Sequence, residues 1–230
     1  MSTRPSALVV DSYGTLLDWT HVAAALAGVV AEPHRFLALW RRKQLEYTWL
    51  ETAAERFEPF AEVTRRALRH TALVHETEIP ERIQRELVEA WSTVPVYPDV
   101  PDALTRLARV QILVVLSNGS DDSSRRALER AGILRHFRHV LSPEHASAYK
   151  PSPRVYALPL PLIPAERGTV LYVTGNAWDA AGAQLFGYRV ARLDRRSELD
   201  ETIAPRPELV LRNLTELADW LAPGTLSRAG

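Results

Sequence analysis

Ala7-Leu-Val-Val-Asp11-Ser-Tyr-Gly-Thr15 joins a short apolar run to a carboxylate and a glycine-containing turn. The run is rich in β-branched residues, which predicts a strand buried on both faces, as in a parallel sheet. Asp11 then stands at the carboxyl end of that strand, where backbone N–H groups of the turn can hold it ionised as a nucleophile. The alternative is a loop-capping role, because Asp commonly follows a strand.

The pattern of an apolar run that ends in polar residues recurs along the chain. Further strands are predicted over 112–116, 170–173 and 189–193, and helices over 100–109, 123–131, 177–186 and 214–221. Strands that alternate with helices predict an α/β fold with a doubly wound, parallel, Rossmann-like sheet. Ligands bind beyond the carboxyl ends of the strands in such sheets, so the polar loops should meet at one edge.

Residues 17–96 show no strand pattern and are predicted to form a helical cap inserted after the first strand. Their large apolar residues recur at three- and four-residue steps, as on one face of a helix: Trp40, Leu45, Trp49, Phe57, Phe60, Leu68, Leu87 and Trp91. Val94-Pro-Val-Tyr-Pro98 then interrupts the pattern, because proline disfavours helical geometry in the residue before it. The predicted core therefore comprises residues 1–16 and 97–230, and the predicted cap residues 17–96.

Charge and cysteine content exclude several kinds of partner and site. Lys plus Arg equal Asp plus Glu at 28 each, so no net field attracts the protein to nucleic acid or to an anionic membrane. The chain has no cysteine, which excludes disulfides and thiolate nucleophiles. The first apolar run ends at Asp11, too short for a signal peptide or a membrane span. We expect a cytoplasmic protein that binds neither nucleic acid nor membranes.

Four short motifs, taken in order, resemble those of the haloacid dehalogenase superfamily. They are the Asp11 turn, Ser117-Asn118-Gly119, Lys150, and the stretch from Asn176 to Asp179. Each is weak alone, because Ser is a common helix N-cap and a Lys before Pro is usually solvated. Their order along successive strand ends indicates the superfamily, whose core is the sheet predicted here with an inserted cap.

The phosphatase branch of this superfamily requires residues that differ from those of this chain. It uses a second aspartate two positions after the nucleophile and acidic Mg²⁺ ligands in the last motif, where this chain has Tyr13 and Asn176. Mg²⁺ prefers charged oxygen ligands, and a departing halide needs no proton. The sequence thus favours a dehalogenase without cofactor or metal. A phosphatase acting on a small phosphate ester is the alternative, and a non-catalytic protein that binds organic acids is a third hypothesis.

Three longer stretches resemble the L-2-haloacid dehalogenases of type II. They are Trp40-Arg-Arg-Lys-Gln-Leu-Glu-Tyr-Thr-Trp49, Lys150-Pro-Ser-Pro-Arg-Val-Tyr156 and Asn176-Ala-Trp-Asp-Ala-Ala-Gly182. The resemblance implies an (S)-2-haloacid dehalogenase, which hydrolyses a small L-2-haloalkanoic acid to the (R)-2-hydroxy acid and halide. Asp11 would displace the halide with inversion and form an ester that water then hydrolyses. The resemblance also implies a homodimer formed through the cap.

The same resemblance assigns roles to individual residues. It implies a catalytic set of Asp11, Thr15, Lys150, Tyr156, Thr174, Asn176 and Asp179. It implies a second set that binds substrate and halide, namely Tyr13, Arg41, Phe60, Ser117, Asn118 and Trp178. In the first set, Lys150 and Asp179 would orient Asp11 and help to activate the water. In the second, Ser117 would bind the substrate carboxylate, and Arg41 and Asn118 would face the departing halide.

Some of these residues also have plain structural explanations. Phe60 and Trp178 are aromatic, and aromatic residues at helical spacing usually belong to the core. Arg41 is followed by Arg42 and Lys43, so it could belong to a solvated helix face.

Gly175 departs from the family pattern, because Thr174-Gly175 stands where two serines are common.

Overall fold

A parallel sheet forms the centre of the protein. The structure is a computed structural model and describes residues 4–222. The six strands of the sheet are β1 (Ala7–Val10), β2 (Leu113–Leu116), β3 (His139–Leu141), β4 (Val170–Thr174), β5 (Arg189–Leu193) and β6 (Leu209–Leu211). They lie in the order β3-β2-β1-β4-β5-β6, and every neighbouring pair is parallel. The chain starts at the centre and winds first to one side and then to the other, so the predicted doubly wound α/β fold is confirmed.

Helices cover both faces of the sheet. They are α1 (Val22–Leu26), α2 (Pro33–Ala53), α3 (Phe60–Val74), α4 (Glu81–Ala90), α5 (Val100–Leu107), α6 (Asp121–Arg130), α7 (Pro153–Tyr156), α8 (Ala177–Phe186) and α9 (Leu214–Leu221). Leu8 and Val10 of β1 belong to a core with α5, α6 and α9, whereas Ala7 and Val9 belong to a second core with α7 and α8. Successive side chains of a strand alternate between faces, so this run had to be apolar throughout.

The connection between β1 and β2 consists of α1 to α4 and short 3-10 turns, where the sequence predicts a helical cap. Trp40 of α2, Leu68 of α3 and Trp91 just after α4 are buried in the same apolar cluster as the central strands. An isolated antiparallel bridge pairs Leu17 with Val96, where the chain enters and leaves this connection. The inserted helices and the sheet therefore share one continuous core.

The division into a core of 1–16 and 97–230 and a cap of 17–96 stays a prediction. Residues 1–3 and 223–230, which the prediction assigns to the core, lie outside the described residues. Within residues 4–222, no helix combines the length and the apolar character that a membrane crossing needs.

The structure departs from the sequence expectations at the edges of the fold. Strands β3 and β6 have three residues each, and they form by pairing with β2 and β5 rather than from a long apolar run. Trp49 lies on α2, as the helical periodicity predicts, but it is 39% exposed. The reason is that this end of α2 extends past the core, where the Trp49 ring meets the edge of the Trp178 ring at 5.8 Å.

Candidate active site

Asp11 lies at the carboxyl end of β1, the strand at which the sheet reverses its winding direction. Its Oδ1 accepts a hydrogen bond from Lys150 Nζ at 2.7 Å. Its Oδ2 accepts from Thr15 Oγ1 at 2.6 Å, from Asn176 Nδ2 at 2.9 Å and from Thr174 Oγ1 at 3.4 Å. The side chain is almost wholly buried. Three loops that are distant in sequence thus hold one carboxylate in a single orientation, as the edge-of-sheet prediction requires.

The turn after Asp11 brings Thr15 back onto the carboxylate. Ser12 O accepts the N–H of Thr15 at 3.2 Å, and Gly14 has a φ of 82°, a conformation that side chains disfavour. Thr15 Oγ1 also accepts the N–H of Gly175 at 2.7 Å. One hydroxyl therefore connects the Asp11 carboxylate, the turn that follows it and the loop after β4.

Lys150 is a fully buried cation between two carboxylates. Its Nζ lies 2.7 Å from Asp11 Oδ1, 3.0 Å from Asp179 Oδ2, 3.1 Å from the carbonyl oxygen of Leu116 and 2.9 Å from the hydroxyl of Tyr172. Burial opposes its charge, but Asp11 and Asp179 outweigh burial, so the pKa of Lys150 is raised above its ordinary value. Lys150 therefore carries its charge at neutral pH.

Asp179, in the first turn of α8, contacts Lys150 rather than solvent. Tyr156 donates to its Oδ1 at 2.7 Å and Tyr172 donates to its Oδ2 at 2.9 Å. Burial, followed by the charge of Asp179, raises the pKa of both tyrosines well above 10, so they remain donors. Burial also raises the pKa of Asp179, and Lys150 opposes that rise. Tyr172 was missed by the sequence reasoning, although it stands two residues before Thr174 on the same face of β4.

The loop after β2 supports Lys150 from the other side. Asn118 Oδ1 accepts the N–H of Lys150 at 2.9 Å, and its Nδ2 faces the Lys150 carbonyl oxygen at 3.5 Å. Ser117 Oγ lies 2.7 Å from Ser12 Oγ and accepts the N–H of Gly119 at 3.0 Å. Both residues thus lie at the site, but the amide of Asn118 is engaged with the backbone of Lys150. Ser12 is a further polar residue here that the sequence reasoning did not single out.

Arg41, on α2, is buried, whereas Arg42 beside it is exposed. The solvated-face explanation for Arg41 was therefore wrong. Its Cζ lies 5.8 Å from the ring centroid of Trp19 and 5.5 Å from that of Trp91. Burial lowers the pKa of Arg41 to about 10, and the charge of Asp11 opposes that decrease. Arg41 is consequently cationic at neutral pH and lies close enough to Asp11 to be influenced by it.

Hydrogen bonds tie Arg41 to the next helix. Its Nη1 donates to Gln44 Oε1, whose Nε2 donates to Thr64 Oγ1 on α3 at 2.7 Å. Thr64 in turn donates to the carbonyl oxygen of Phe60 at 2.7 Å. The orientation of this guanidinium therefore depends on the packing of α2 against α3.

The aromatic residues of the predicted binding set lie in two places. Tyr13 and Phe60 line a cavity of about 210 Å³ between α3 and the start of α6, together with Trp91. Burial raises the pKa of Tyr13 to about 12, so its hydroxyl stays protonated. Trp178 instead packs against Trp49 and is half-buried. The structure thus places Tyr13 and Phe60 in the lining of one cavity and places Trp178 elsewhere, against Trp49.

Position 175 has no room for a side chain. A Cβ on Gly175 would lie 2.1 Å from the carbonyl oxygen of Gly14, which is far inside van der Waals contact. The loops that carry Thr15 and Asn176 therefore lie so close together that only glycine fits at position 175. This close approach gives a physical reason for the departure from the family's paired serines.

Gly175→Ser, which restores the residue common in the family, is expected to damage this protein. The added Cβ must push the two loops apart, costing about 1–3 kcal/mol of unfolding free energy. Because the separated loops move Asn176 relative to Asp11, turnover should also fall by about 10-fold to 100-fold. Thermal unfolding and steady-state turnover check both effects. Gly168→Ala is the matched control, because a Cβ there meets no atom within 4 Å. A Gly175→Ser protein as stable and active as Gly168→Ala would contradict the steric explanation.

The donor set at this edge is poorly suited to a divalent cation. Among residues 4–222, no cluster of three or more His, Asp or Glu side chains is arranged to hold a metal ion. Asp11 and Asp179 both face the Lys150 ammonium, and Asn176 directs its Nδ2 rather than an oxygen toward Asp11. Mg²⁺ prefers several charged oxygen ligands in octahedral geometry.

Known proteins resemble this chain over both the sheet and the inserted helices. The family model of haloacid dehalogenase-like hydrolases matches residues 5–187. An (S)-2-haloacid dehalogenase from Pseudomonas sp. strain YL is 34% identical over 214 residues, 92% of each chain. Another from Pseudomonas putida is 33% identical over 216 residues, 93% of this chain and 96% of that one. The structure of L-2-haloacid dehalogenase from Xanthobacter autotrophicus with chloropropionic acid covalently bound matches at a TM-score of 0.89 and 30% identity, covering 96% of this chain and 99% of that chain.

Proposed function

This chain belongs to the haloacid dehalogenase-like hydrolases, and from that membership we propose that it is an (S)-2-haloacid dehalogenase. It would hydrolyse a small L-2-haloalkanoic acid to the (R)-2-hydroxy acid and halide, without a metal or cofactor. One observation carries the proposal. The two oxygens of Asp11 are held unequally, because among residues 4–222 three side chains donate to Oδ2 and Lys150 alone donates to Oδ1.

Unequal hydrogen bonding distinguishes the attacking oxygen from the other one. In the first step, Asp11 Oδ1 forms a bond to C2 of the substrate from the side opposite the halogen, which inverts that carbon. The C2–halogen bond breaks and its electron pair leaves with the halide. Arg41 supplies positive charge in a water-poor pocket, where such charge stabilises the departing anion most strongly. No proton is needed, which suits a site with Tyr13 two positions after the nucleophile.

Water resolves the ester in the second step. It attacks the aspartyl carbonyl carbon, and the negative charge develops on Oδ2, where Thr15 and Asn176 already donate. The intermediate then expels Oδ1 together with C2, so the product hydroxyl oxygen comes from Asp11. Lys150 touches Oδ1 and can protonate the departing alkoxide, while Asp179 acts through Lys150. One proton of the attacking water replaces the proton that Lys150 gives to the alkoxide, the other is released, and the water oxygen becomes a carboxylate oxygen of Asp11.

The substrate carboxylate requires a separate site from the halide. Ser117 and the backbone N–H groups of the first two polar loops are the donors that we assign to it, with Phe60 against the alkyl group. A homodimer through the cap remains a prediction from the family resemblance, and a cytoplasmic location remains a prediction from composition and the short first apolar run.

Halide release from the separate enantiomers of 2-chloropropionate, in buffer containing EDTA, tests the proposal. We expect chloride release from the L form, with D-lactate as the product, and no measurable release from the D form. A sample that releases no chloride but hydrolyses phosphate esters when Mg²⁺ is added would overturn the proposal in favour of a phosphatase. Binding of the acid without turnover would instead support a binding protein.

A further inference from the structure

Arg196 lies in the loop after β5 and contacts the two loops that surround Asp11. Its Nη2 donates to Asn176 Oδ1 at 3.1 Å and to the carbonyl oxygen of Gly175 at 3.2 Å, and its Nη1 donates to the carbonyl oxygen of Gly14 at 3.4 Å. Its Nε pairs at the surface with Glu198 Oε1 at 2.8 Å. The guanidinium thus bridges the two loops that meet at Gly175.

Arg196 completes the set of contacts that orients the Asn176 amide. Asn176 Nδ2 donates to Asp11 Oδ2 and to the carbonyl oxygen of Tyr13, both at 2.9 Å. These two neighbours only accept hydrogen bonds, whereas a guanidinium only donates them. The amide is therefore held with its NH₂ group toward the nucleophile and its oxygen toward Arg196. A cation on the amide oxygen also polarises the N–H bonds toward stronger donation.

The neighbouring Arg195 makes a different set of contacts. Arg195 pairs with Asp99 Oδ1 at 2.7 Å, donates to the carbonyl oxygen of Thr15 at 3.0 Å and lies over the Tyr97 ring at 4.2 Å. These contacts anchor the backbone of the nucleophile turn and do not include Asn176. Arg196 is the member of the pair that touches a side chain donating to Asp11.

We propose that Arg196 is a positioning residue for the second half-reaction, acting through Asn176 on Asp11 Oδ2. The inference rests on the proposed function, in which Oδ2 becomes negatively charged when water attacks the ester. The first half-reaction uses Oδ1 and depends less on this contact. Loss of Arg196 should therefore slow hydrolysis of the ester more than its formation.

Arg196→Met tests this, because methionine keeps an apolar stem and removes the guanidinium. We expect kcat to fall about tenfold, the size of one charge-assisted hydrogen bond, and KM to fall with it, so that kcat/KM, which reports ester formation, stays within about twofold of the wild-type value. Rapid quenching and intact-mass measurement should show the ester accumulating on the variant, with the first equivalent of halide released at nearly the wild-type rate. Glu198→Gln is the matched control, since it removes only the negative charge of the surface partner of Arg196. It should behave as wild type.

A second measurement needs no turnover. The chain has three asparagines, Asn118, Asn176 and Asn213, so ¹⁵N-asparagine labelling gives three side-chain amides, which single substitutions assign. In Arg196→Met the Asn176 amide protons should exchange with water at least about tenfold faster than in wild type, and in Glu198→Gln they should not. Unchanged exchange would overturn the inference even if turnover fell.

The outcomes separate this inference from the proposed function. A wild-type enzyme that neither releases halide nor forms an ester contradicts the proposed function, and the exchange experiment still decides whether Arg196 holds Asn176. A wild-type enzyme that turns over, with Arg196→Met slowed equally in both half-reactions or not at all, contradicts only the role of Arg196 in the second half-reaction.

Discussion

Asp11→Asn is expected to lower halide release by at least about 10⁴-fold while the protein stays folded. An amide oxygen is a far weaker nucleophile than a carboxylate, and no other carboxylate takes its place, because Asp179 is held by Lys150 and two tyrosines. Initial rates and intact mass measure the effect, since the variant should form no ester. Circular dichroism should show an unchanged fold.

Asp18→Asn is the matched control for that experiment, because it makes the same chemical change in the same loop. Asp18 caps the turn Trp19–His21 through Oδ1, and asparagine caps equally well. It should retain wild-type turnover. Retention of more than a few per cent of activity by Asp11→Asn, in a sample shown by mass to be free of deamidated protein, would refute Asp11 as the nucleophile.

Oxygen labelling distinguishes the ester route from direct attack of water on C2. In ¹⁸O-water with enzyme in excess, the ester route places the label in the peptide that contains Asp11 and leaves the first product unlabelled. Direct attack would place the label in the product at once. The first result is expected if Asp11 is the nucleophile.

Lys150→Met is expected to lower both turnover and stability, and its effect on turnover should be second to that of Asp11→Asn. Turnover is expected to fall about 10³-fold, because Oδ1 loses the Lys150 donor and the alkoxide loses its proton source. The unfolding free energy should fall by about 3–5 kcal/mol, because two buried carboxylates are left without their cation. Denaturant unfolding and steady-state kinetics measure the two effects.

Lys43→Met is the matched control, because Lys43 is the only other lysine of the chain. It pairs with Glu46 at the surface and should change stability by less than about 1 kcal/mol.

The Lys150→Met stability loss should also depend on pH. Burial raises the pKa of Asp179, and Lys150 opposes that rise in the wild type. In the variant the carboxyl group binds its proton more tightly in the folded state, so the loss is largest well above pH 4 and shrinks as the pH falls toward 4. A loss that grows on acidification would contradict the assigned ion pairs.

The sequence was sufficient to predict the parallel sheet and most of the site, for a local physical reason. Unbroken apolar runs such as β1 are compatible only with strands covered on both faces, and polar residues directly after them must emerge at one edge. Asp11, Ser117 and Asn176 were found in this way. Lys150 was found from the motif resemblance, since nothing about a lysine before a proline indicates burial.

Other features could not be predicted because they depend on partners distant in the chain. The short strands β3 and β6 exist through pairing with β2 and β5. Tyr172 looked like one more apolar residue of β4, and Arg196 like one of many surface arginines. Their hydrogen bonds to Asp179 and Asn176 arise only when separate loops converge.

The residue types and their order along the chain point to the chemistry that we propose for this protein: a strand-end carboxylate, a lysine and a last acidic motif, with Tyr13 in place of a second acid. Only the tertiary structure shows which groups donate to each oxygen of Asp11. Asp11 and Lys150 are 139 positions apart, and the division of donors between Oδ1 and Oδ2 is set by contacts of 2.6 to 3.4 Å. Periodicity and composition carry no information at that scale, because side-chain packing between distant segments sets it.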